Sequence, residues 1–427
     1  MKNPKLHVIL PTLGSAGDVH PVIGLSLKLQ ERGHRATIVT NPFFQEQIES
    51  LGIGFLPVGT IEEARALMAH PDLWHANRGF YLIADRVITP SLEPIYEAIA
   101  ANAGPNTVVA ASPISLGARI AYDKLGVPFA SVCLQPSVIR SLVDGGKMGQ
   151  IRLSPTHPMW FKRALLNLID WAIIDRKLRG PLNQFRAKLG LKPIDHVFRE
   201  WMHSPQLVIG FFPEWFAPPQ PDWPRNTHCV GFPLWDAAGH APVPDDAEKF
   251  LNEGEPPVIF TPGSAAATRH AFFEESVVAA RDLGIRAMMV TNFAEQLPAD
   301  LPANVRAFGY LPFSEVLPRA ALLVHHGGIG TTAQTFKAGI PHIVVPNGHD
   351  QFDNAWRVER LRLGVEIRAT KYKARRVAEA INGLLSDNDL KRRCRDYASR
   401  IDSERSITAA CELIEGIGYS QESAAGN

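Results

Sequence analysis

The stretch from Ala320 to Asn354, AALLVHHGGIGTTAQTFKAGIPHIVVPNGHDQFDN, leaves few folds open to the chain. Leu322-Leu323-Val324 is an apolar run of strand type, stopped by His325, His326, Gly327 and Gly328. Thr331 to Lys337 then reads as a helix with hydroxyl residues at its start. A second apolar run, Ile343-Val344-Val345-Pro346, ends in the polar cluster Gly348-His349-Asp350-Gln351. Such a strand–turn–helix–strand unit belongs in a parallel α/β sheet, where ligands sit in the crevice at the carboxyl ends of the strands. Gly327, Gly328 and Gly330 remove side chains where backbone N–H groups and a helix N-terminus can meet an anion. Thr331 and Thr332 add hydroxyl donors, and His326 offers a charge-assisted bond to a phosphate. The glycines alone fit ordinary strand-to-helix packing equally well. The histidine pair before them and Asp350-Gln351 after the next strand tip the reading toward a phosphorylated ligand.

The rest of the chain repeats that grammar. Leu6 to Pro11 reads as a buried parallel strand, followed by the turn LGSAGDVHP, a helix from Val22 to about Glu31, and a second strand from Ala36 to Thr40. Further strands are expected at Val108–Ser112, Phe129–Leu134 and Val208–Phe212, with helices between. Asp236 to Asp246, DAAGHAPVPDD, reads as a linker. Strands then follow at Pro257–Thr261, Ala287–Thr291, Val305–Tyr310, Leu322–Val324 and Ile343–Val345, with a helix from about Ala271 to Leu283. The expectation is an α/β chain of two Rossmann-like domains facing across a cleft, residues 1–236 and 247–405. Residues 406–427 would form a last helix, able to pack back on the first domain, and a frayed tail.

Composition removes several classes. The chain has 427 residues and a formal net charge of +1, which gives no general attraction to nucleic acid. Its four cysteines, Cys133, Cys229, Cys394 and Cys411, lack metal-ligand spacing and read as free thiols in a reducing cytoplasm. The N-terminus has too short an apolar core for a signal peptide, and no run reaches the ~18 apolar residues of a membrane-spanning helix. A cytoplasmic protein is expected, with peripheral contact to the inner membrane face as an extension.

HHGGIGTT followed by AGIPHIVVP and DQ resembles the donor-binding signature of inverting, nucleotide-sugar-dependent glycosyltransferases of GT-B fold, the UDP-glycosyltransferase superfamily. The resemblance covers nearly the whole chain. Trp201–Pro224, Gly231–Asp236 and His349–Ala355 are similar to the rhamnosyltransferases of rhamnolipid synthesis. The resemblance implies transfer of a sugar from a nucleoside diphosphate to a lipophilic hydroxyl, with no cofactor and no metal. Asp18, in GDVHP, falls where plant relatives place a catalytic histidine, and bacterial relatives are similar in having Asp there. It is the expected base, with His20 as an assistant; its alternative use is to cap the helix beginning near Pro21. Ser264, His326, Gly328, Gly330 and Thr331 would hold the diphosphate, and Asp350 and Gln351 the sugar hydroxyls. Tyr310 falls where plant relatives stack a tryptophan on the base, and Phe313 and Gln334 where they bind ribose. Asp387-Asn388-Asp389 spells a metal-binding D-x-D but reads better as a helix cap.

The acceptor side is thinner. Trp74, Phe80 and Trp160 are candidates for an apolar acceptor cleft. Arg140 to Gly190 shows no strand signal and contains a basic amphipathic helix. Its stripe of Phe161, Leu165, Leu168, Ile169 and Ala172 is flanked by Trp160 and Trp171, with Arg163, Asn167 and Asp170 opposite. Packing on its own domain is the plain use; a lid over the acceptor, touching a membrane surface, is the sharper one. The preferred substrates are dTDP-L-rhamnose and a 3-(3-hydroxyalkanoyloxy)alkanoate. The competitors are glucosylation of a sterol, terpenoid or other aglycone from UDP-glucose, a sugar-nucleotide epimerase, and a non-catalytic binding subunit.

Overall fold

A computed structural model describes residues 4–149, 151–236, 242–263 and 269–425, with side chains to residue 420. The apolar runs become strands buried on both faces, as parallel sheets covered by helices require. β1 (His7–Pro11), β2 (Arg35–Thr40), β3 (Gly54–Pro57), β4 (Thr107–Ala111) and β5 (Phe129–Cys133) come first. A small antiparallel hairpin follows, β6 (Lys147–Met148) and β7 (Ile151–Arg152), and then β8 (Leu207–Gly210) and β9 (Thr227–Cys229). The second half supplies β10 (Val258–Thr261), β11 (Ala287–Val290), β12 (Val305–Phe308), β13 (Leu322–His325), β14 (His342–Val344) and β15 (Gly364–Glu366).

Seven parallel strands form one sheet in the order β3-β2-β1-β4-β5-β8-β9, and six form the other in the order β12-β11-β10-β13-β14-β15. In each sheet the winding reverses once, between β1 and β4 and between β10 and β13, and a crevice opens at each reversal. The turn after β1 carries Asp18; the turn after β13 carries His326. The fold therefore sets the two most polar turns of the sequence at its two natural ligand positions.

Five strands escaped the sequence. β3 and β9 are sheet edges with partly exposed residues, and β15 is a three-residue edge, so none has the continuous apolar run of a central strand. The hairpin β6–β7 corrects the expectation that Arg140 to Gly190 holds no strand; it is fixed by tertiary contact, with Lys147 N–H donating to Asp353 Oδ1 at 2.9 Å and Lys147 Nζ 2.6 Å from Glu366.

The first long helix, Ala16–Glu31, starts well before Val22. Proline favours a helix's first turn, which draws a sequence reading to Pro21. Here the Asp18 carboxylate reaches back to Ser15 instead, accepting from its N–H at 2.8 Å, and this closes the helix start earlier. Pro21 lies inside the helix.

The amphipathic helix Met159–Ile169 corrects a second expectation. Its buried residues are Lys162 and Leu166, and Asp170, Ile174 and Asp175 continue that face through a π-helical turn at Asp170–Asp175. Lys162 Nζ donates to the Val143 carbonyl at 3.1 Å, Asp170 pairs with Arg140, and Asp175 accepts from the Val197 N–H at 3.0 Å. With Lys162 and Asp175 hydrogen-bonded and Asp170 ion-paired inside, the segment turns apolar residues outward: Trp160 is 73% exposed, Leu168 56% and Trp171 69%.

The last helix, Ser403–Ala425, runs further than the expected frayed tail allows. Ile407, Ala410, Cys411 and Ile414 enter the core beneath the first sheet, with Leu6, Val8, Leu25 and Val108. Among the described residues no helix is long and apolar enough to cross a membrane.

Candidate active site

Two helix N-termini confront each other between the sheets. The helix Ile329–Ala338 begins directly behind the turn after β13, with Gly328 at its cap. A Cβ on Gly330 would stand 3.8 Å from the Cα of Gly17, in the first turn of the helix Ala16–Glu31. Both helices therefore aim backbone N–H groups into one crevice. The turn depends on Gly327, whose φ of +92° is left-handed and whose Cβ would meet Val344 Cγ1 at 2.6 Å.

Three histidines stand behind and in this turn. His325 is fully buried; its Nδ1 accepts from the Gly327 N–H at 3.1 Å, so its Nε2 carries the proton and donates to His342 Nδ1 at 3.2 Å. Burial holds His325 well below the usual imidazole range and His342 at about 3, so both are neutral braces. His326 faces the crevice. Gly263 and Gly328 leave room for its ring, and a Cβ on Gly263 would lie 2.7 Å from His326 Cε1. Its Nδ1 has no hydrogen-bond partner among the described residues.

Burial, and then the nearby Arg269 guanidinium, lower the His326 pKa to about 4. This corrects the charge-assisted role expected of it. At neutral pH His326 is an uncharged ring with one spare nitrogen. The positive charge belongs to Arg269, which sequence reasoning missed; its Nη1 donates to Asn347 Oδ1 at 3.0 Å. Ser264, expected beside His326, lies outside the described residues.

Asp18 sits in the first turn of its helix, and its Oδ2 also accepts from Ser15 Oγ at 3.3 Å. Burial raises its pKa to about 6, opposed by the Ser15 N–H and augmented by the charge of Asp350. Asp350, just ahead of the helix Gln351–Arg360, is likewise raised to about 6 by burial. Its Oδ2 accepts from Asn354 Nδ2 at 2.7 Å. Asn354, fully buried, also donates from Nδ2 to the Gly327 carbonyl at 2.9 Å, tying the sugar-side carboxylate to the phosphate turn. Only the HDQFDNA resemblance hinted at Asn354.

Gln351 is placed differently from the expectation. Its Oε1 accepts from the N–H groups of Asn347 at 2.9 Å and Gly348 at 3.2 Å, bracing the loop, so only its amide nitrogen remains for a ligand. His20 turns away from Asp18: its ring meets Trp235 edge-on at 5.2 Å, and burial lowers its pKa. No contact between His20 and Asp18 is seen among the described residues, so nothing in the geometry supports the assisting role expected of it. Asp236, expected only as the start of a linker, accepts from Ser314 N–H and Oγ, each at 2.9 Å, and from Gln334 Nε2 at 3.4 Å. It thereby fastens the linker to the nucleoside end of the crevice. Tyr310 is 39% exposed beside that end, whereas Phe313 packs partly into the core around Val316 and Leu317.

Of the acceptor candidates, Trp74 reaches the crevice, with its ring 6.3 Å from His326 and 5.5 Å from His349. Phe80 packs against Tyr81 and Phe198 in the helical layer, and Trp160 lies on the outer surface. Asp387 caps the helix Asn388–Ser399, accepting from the Leu390 N–H at 2.8 Å, and Asp389 pairs with Arg392.

Two facing parallel sheets with polar turns at both switch points have the GT-B architecture, and the matches along the chain make the protein a nucleotide-sugar glycosyltransferase. Residues 8–139 match the glycosyltransferase family 28 N-terminal domain, and residues 276–412 match the erythromycin biosynthesis protein CIII-like C-terminal domain. The chain is 28% identical over 441 residues to O-mycaminosyltylonolide 6-deoxyallosyltransferase of Streptomyces fradiae, covering 96% of this chain and 97% of that one. Its fold is similar to the glycotransferase of kitacinnamycin (TM-score 0.74, 19% identity, 97% and 99% of the two chains). It is also similar to the spinosyn rhamnosyltransferase SpnG complexed with thymidine diphosphate (TM-score 0.65, 18% identity, 95% and 96% covered).

The raised Asp18 pKa has a stability consequence. A carboxyl whose folded pKa of about 6 exceeds its unfolded value of 3.8 favours folding most below 3.8, and that contribution is lost as pH rises through 6. Asp18→Asn removes the buried charge while keeping an acceptor for Ser15. The variant should therefore melt higher than wild type at pH 8, and by clearly less at pH 4.5, where only part of the penalty has developed. Thermal unfolding at the two pH values checks this; a lower melting point at pH 8 would show a carboxylate that the fold welcomes.

Proposed function

We propose that the chain is a metal-independent, inverting glycosyltransferase that moves a 6-deoxyhexose, best L-rhamnose from dTDP-L-rhamnose, to the hydroxyl of a 3-(3-hydroxyalkanoyloxy)alkanoate. The observation that carries this reading is a desolvated carboxylate, Asp18, standing across a narrow crevice from a glycine turn and helix N-terminus. With a pKa of about 6, Asp18 is mostly ionised at neutral pH yet far more basic than an ordinary carboxylate. The acceptor oxygen attacks the anomeric carbon, its proton passes to Asp18, and the bond to the diphosphate breaks on the opposite side. A single displacement of this kind inverts the configuration. The growing charge on the leaving group is met by the N-terminus of the helix Ile329–Ala338, Thr331, the spare His326 nitrogen and the Arg269 guanidinium. Asp350 and the Gln351 amide nitrogen hold the sugar hydroxyls, and Tyr310 stacks on the base.

Several features support the finer reading. The stretches Trp201–Pro224, Gly231–Asp236 and His349–Ala355 resemble rhamnosyltransferases of rhamnolipid synthesis. The Streptomyces relative is named for a 6-deoxyhexose, and SpnG is a rhamnosyltransferase complexed with thymidine diphosphate. The outward ridge of Trp160, Leu168 and Trp171, followed by exposed Arg176 and Arg179, suits contact with an anionic lipid surface that delivers a hydroxyacyl acceptor. A second reading, transfer to a polyketide-type aglycone, is favoured by the tylonolide name of that same relative. An acceptor panel separates the two: turnover of the aglycone with none of the hydroxyacyl ester would replace the lipid reading.

Asp18→Asn should lower kcat by ~10²–10⁴-fold, measured with a chelator present, and leave donor affinity nearly unchanged. The wild-type rate should rise with pH through about 6 and then level off. Retained turnover in the variant would leave Asp18 a helix brace only.

Nucleoside diphosphate affinity should separate the two donors to the diphosphate. Losing the Arg269 charge removes a bond worth roughly 1.5–3 kcal/mol, against roughly 0.5–1.5 kcal/mol for a neutral His326 donor. Calorimetry should find Arg269→Met weaker than His326→Ala; the reverse order would make His326 the cation.

Sedimentation with vesicles of anionic lipid should recover wild type and lose the Trp160→Ser, Trp171→Ser double variant. Equal recovery of both would end the lipid-surface reading.

A further inference from the structure

Among the described residues, His349 is one of two non-glycine residues held at positive φ, here +53°. A left-handed histidine is strained, and strain at a turn persists only where surrounding contacts over-determine it. The contact here crosses between the two halves of the chain: His349 Nε2 lies 2.7 Å from the Leu73 carbonyl oxygen. A carbonyl only accepts, so Nε2 carries the proton and donates. Burial lowers the His349 pKa, and the ring is a neutral donor at pH 7.

The loop that it grips is built as one piece. Leu73 N–H donates to the His70 carbonyl at 3.1 Å, His75 N–H to the Asp72 carbonyl at 3.0 Å, and Gly79 N–H to the His75 carbonyl at 2.8 Å. Arg78 and Asp72 pair at 3.0 Å. Two glycines make the grip close enough. A Cβ on Gly79 would lie 2.7 Å from the Leu73 oxygen and 2.9 Å from His349 Cε1, and one on Gly348 would lie 3.1 Å from the Trp74 oxygen. Trp74, carried by this loop, is set edge-on to both His349 and His326. The next residues after His349 are Asp350 and Gln351, the sugar side of the crevice, and Asp18 is near enough for its charge to act on His349.

We infer that His349 is a positioning residue: a clasp that fastens the loop 70–79 of the acceptor half onto the sugar end of the donor turn, so that Trp74 shields the anomeric carbon from water. This rests on the glycosyl-transfer reading above. Shielding has a defined chemical consequence. If water replaces the acceptor, its oxygen bonds to the anomeric carbon, its proton goes to Asp18, and the nucleoside diphosphate leaves, giving free sugar. A loosened clasp should raise that hydrolysis relative to transfer.

The clasp makes His349 a different kind of residue from Asp350 and Gln351. Its loss should change the partition between water and acceptor more than it changes donor affinity. Asparagine tolerates the left-handed region and keeps an N–H donor, so His349→Asn should restore part of what His349→Ala loses. Gly79→Ala should mimic His349→Ala from the other side of the bond.

Two readouts test this. Hydrogen exchange of the amides in residues 70–79 should quicken about five- to tenfold in His349→Ala, as expected for the loss of one neutral hydrogen bond, and less in His349→Asn. With dTDP-L-rhamnose and the hydroxyacyl acceptor, the ratio of free sugar to glycolipid should rise by a similar factor in His349→Ala and in Gly79→Ala. Unchanged exchange in His349→Ala overturns the clasp. Faster exchange with an unchanged product ratio also overturns the inference, because the loop would then be fastened without shielding anything. The exchange measurement judges the clasp even on a wild type that transfers no sugar, an outcome that would instead remove the proposed function.

Discussion

Desolvation where the helices Ala16–Glu31 and Ile329–Ala338 meet end to end governs the chemistry of this protein. The two N-termini come close, a Cβ on Gly330 standing 3.8 Å from the Gly17 Cα, and burial strips water from the charged groups beside them. Removing water disfavours every charged form in the crevice. The same cause therefore raises Asp18 and Asp350 to about 6 and lowers His326 to about 4. A base is strengthened and a cation is discharged in one step. The helix N-termini and Arg269 then supply the positive field that His326 does not.

Much of the remaining structure serves to hold that meeting in place. His325 and His342, both neutral and buried, fix the turn after β13 through the Gly327 N–H. Asn354 ties the same turn to Asp350, and Gln351 spends its carbonyl on the loop before it. The last helix returns to the first sheet, with Ile414 in its core and Arg32 held to Glu415, so that the first half is closed by residues from the far end of the chain. Among the described residues, three buried polar atoms at the site have no hydrogen-bond partner, His326 Nδ1, His342 Nε2 and Asn354 Oδ1; His326 Nδ1 stands out because it faces the crevice.

The central strands and the two polar turns were legible in the sequence because a strand buried on both faces needs a continuous apolar run, and a turn at its end needs glycine. Edge strands such as β3 and β15 lack that run. The π-helical turn at Asp170–Asp175 shifts the helical phase, and buried Lys162 and Asp170 find partners elsewhere in the chain, so the apolar stripe is split, with Phe161 and Leu168 outward and Leu165, Ile169 and Ala172 half-buried. The site was legible in its residue types and less so in their states. That His326 is neutral, that His20 turns to Trp235, and that Arg269, Asn354 and His349 belong to the site all depend on distances between segments far apart in the chain.

The central claim is that this crevice makes a strong base of an ordinary aspartate. It is tested most directly by carbon-13 NMR of protein labelled at the aspartate carboxyl carbon, titrated from pH 4 to pH 8, with the Asp18 signal assigned by its absence in Asp18→Asn. A midpoint near 6 is the expected result. A midpoint near the ordinary aspartate value of ~4 would contradict the account, because the carboxylate would then be solvated and the two helix ends too far apart to exclude water.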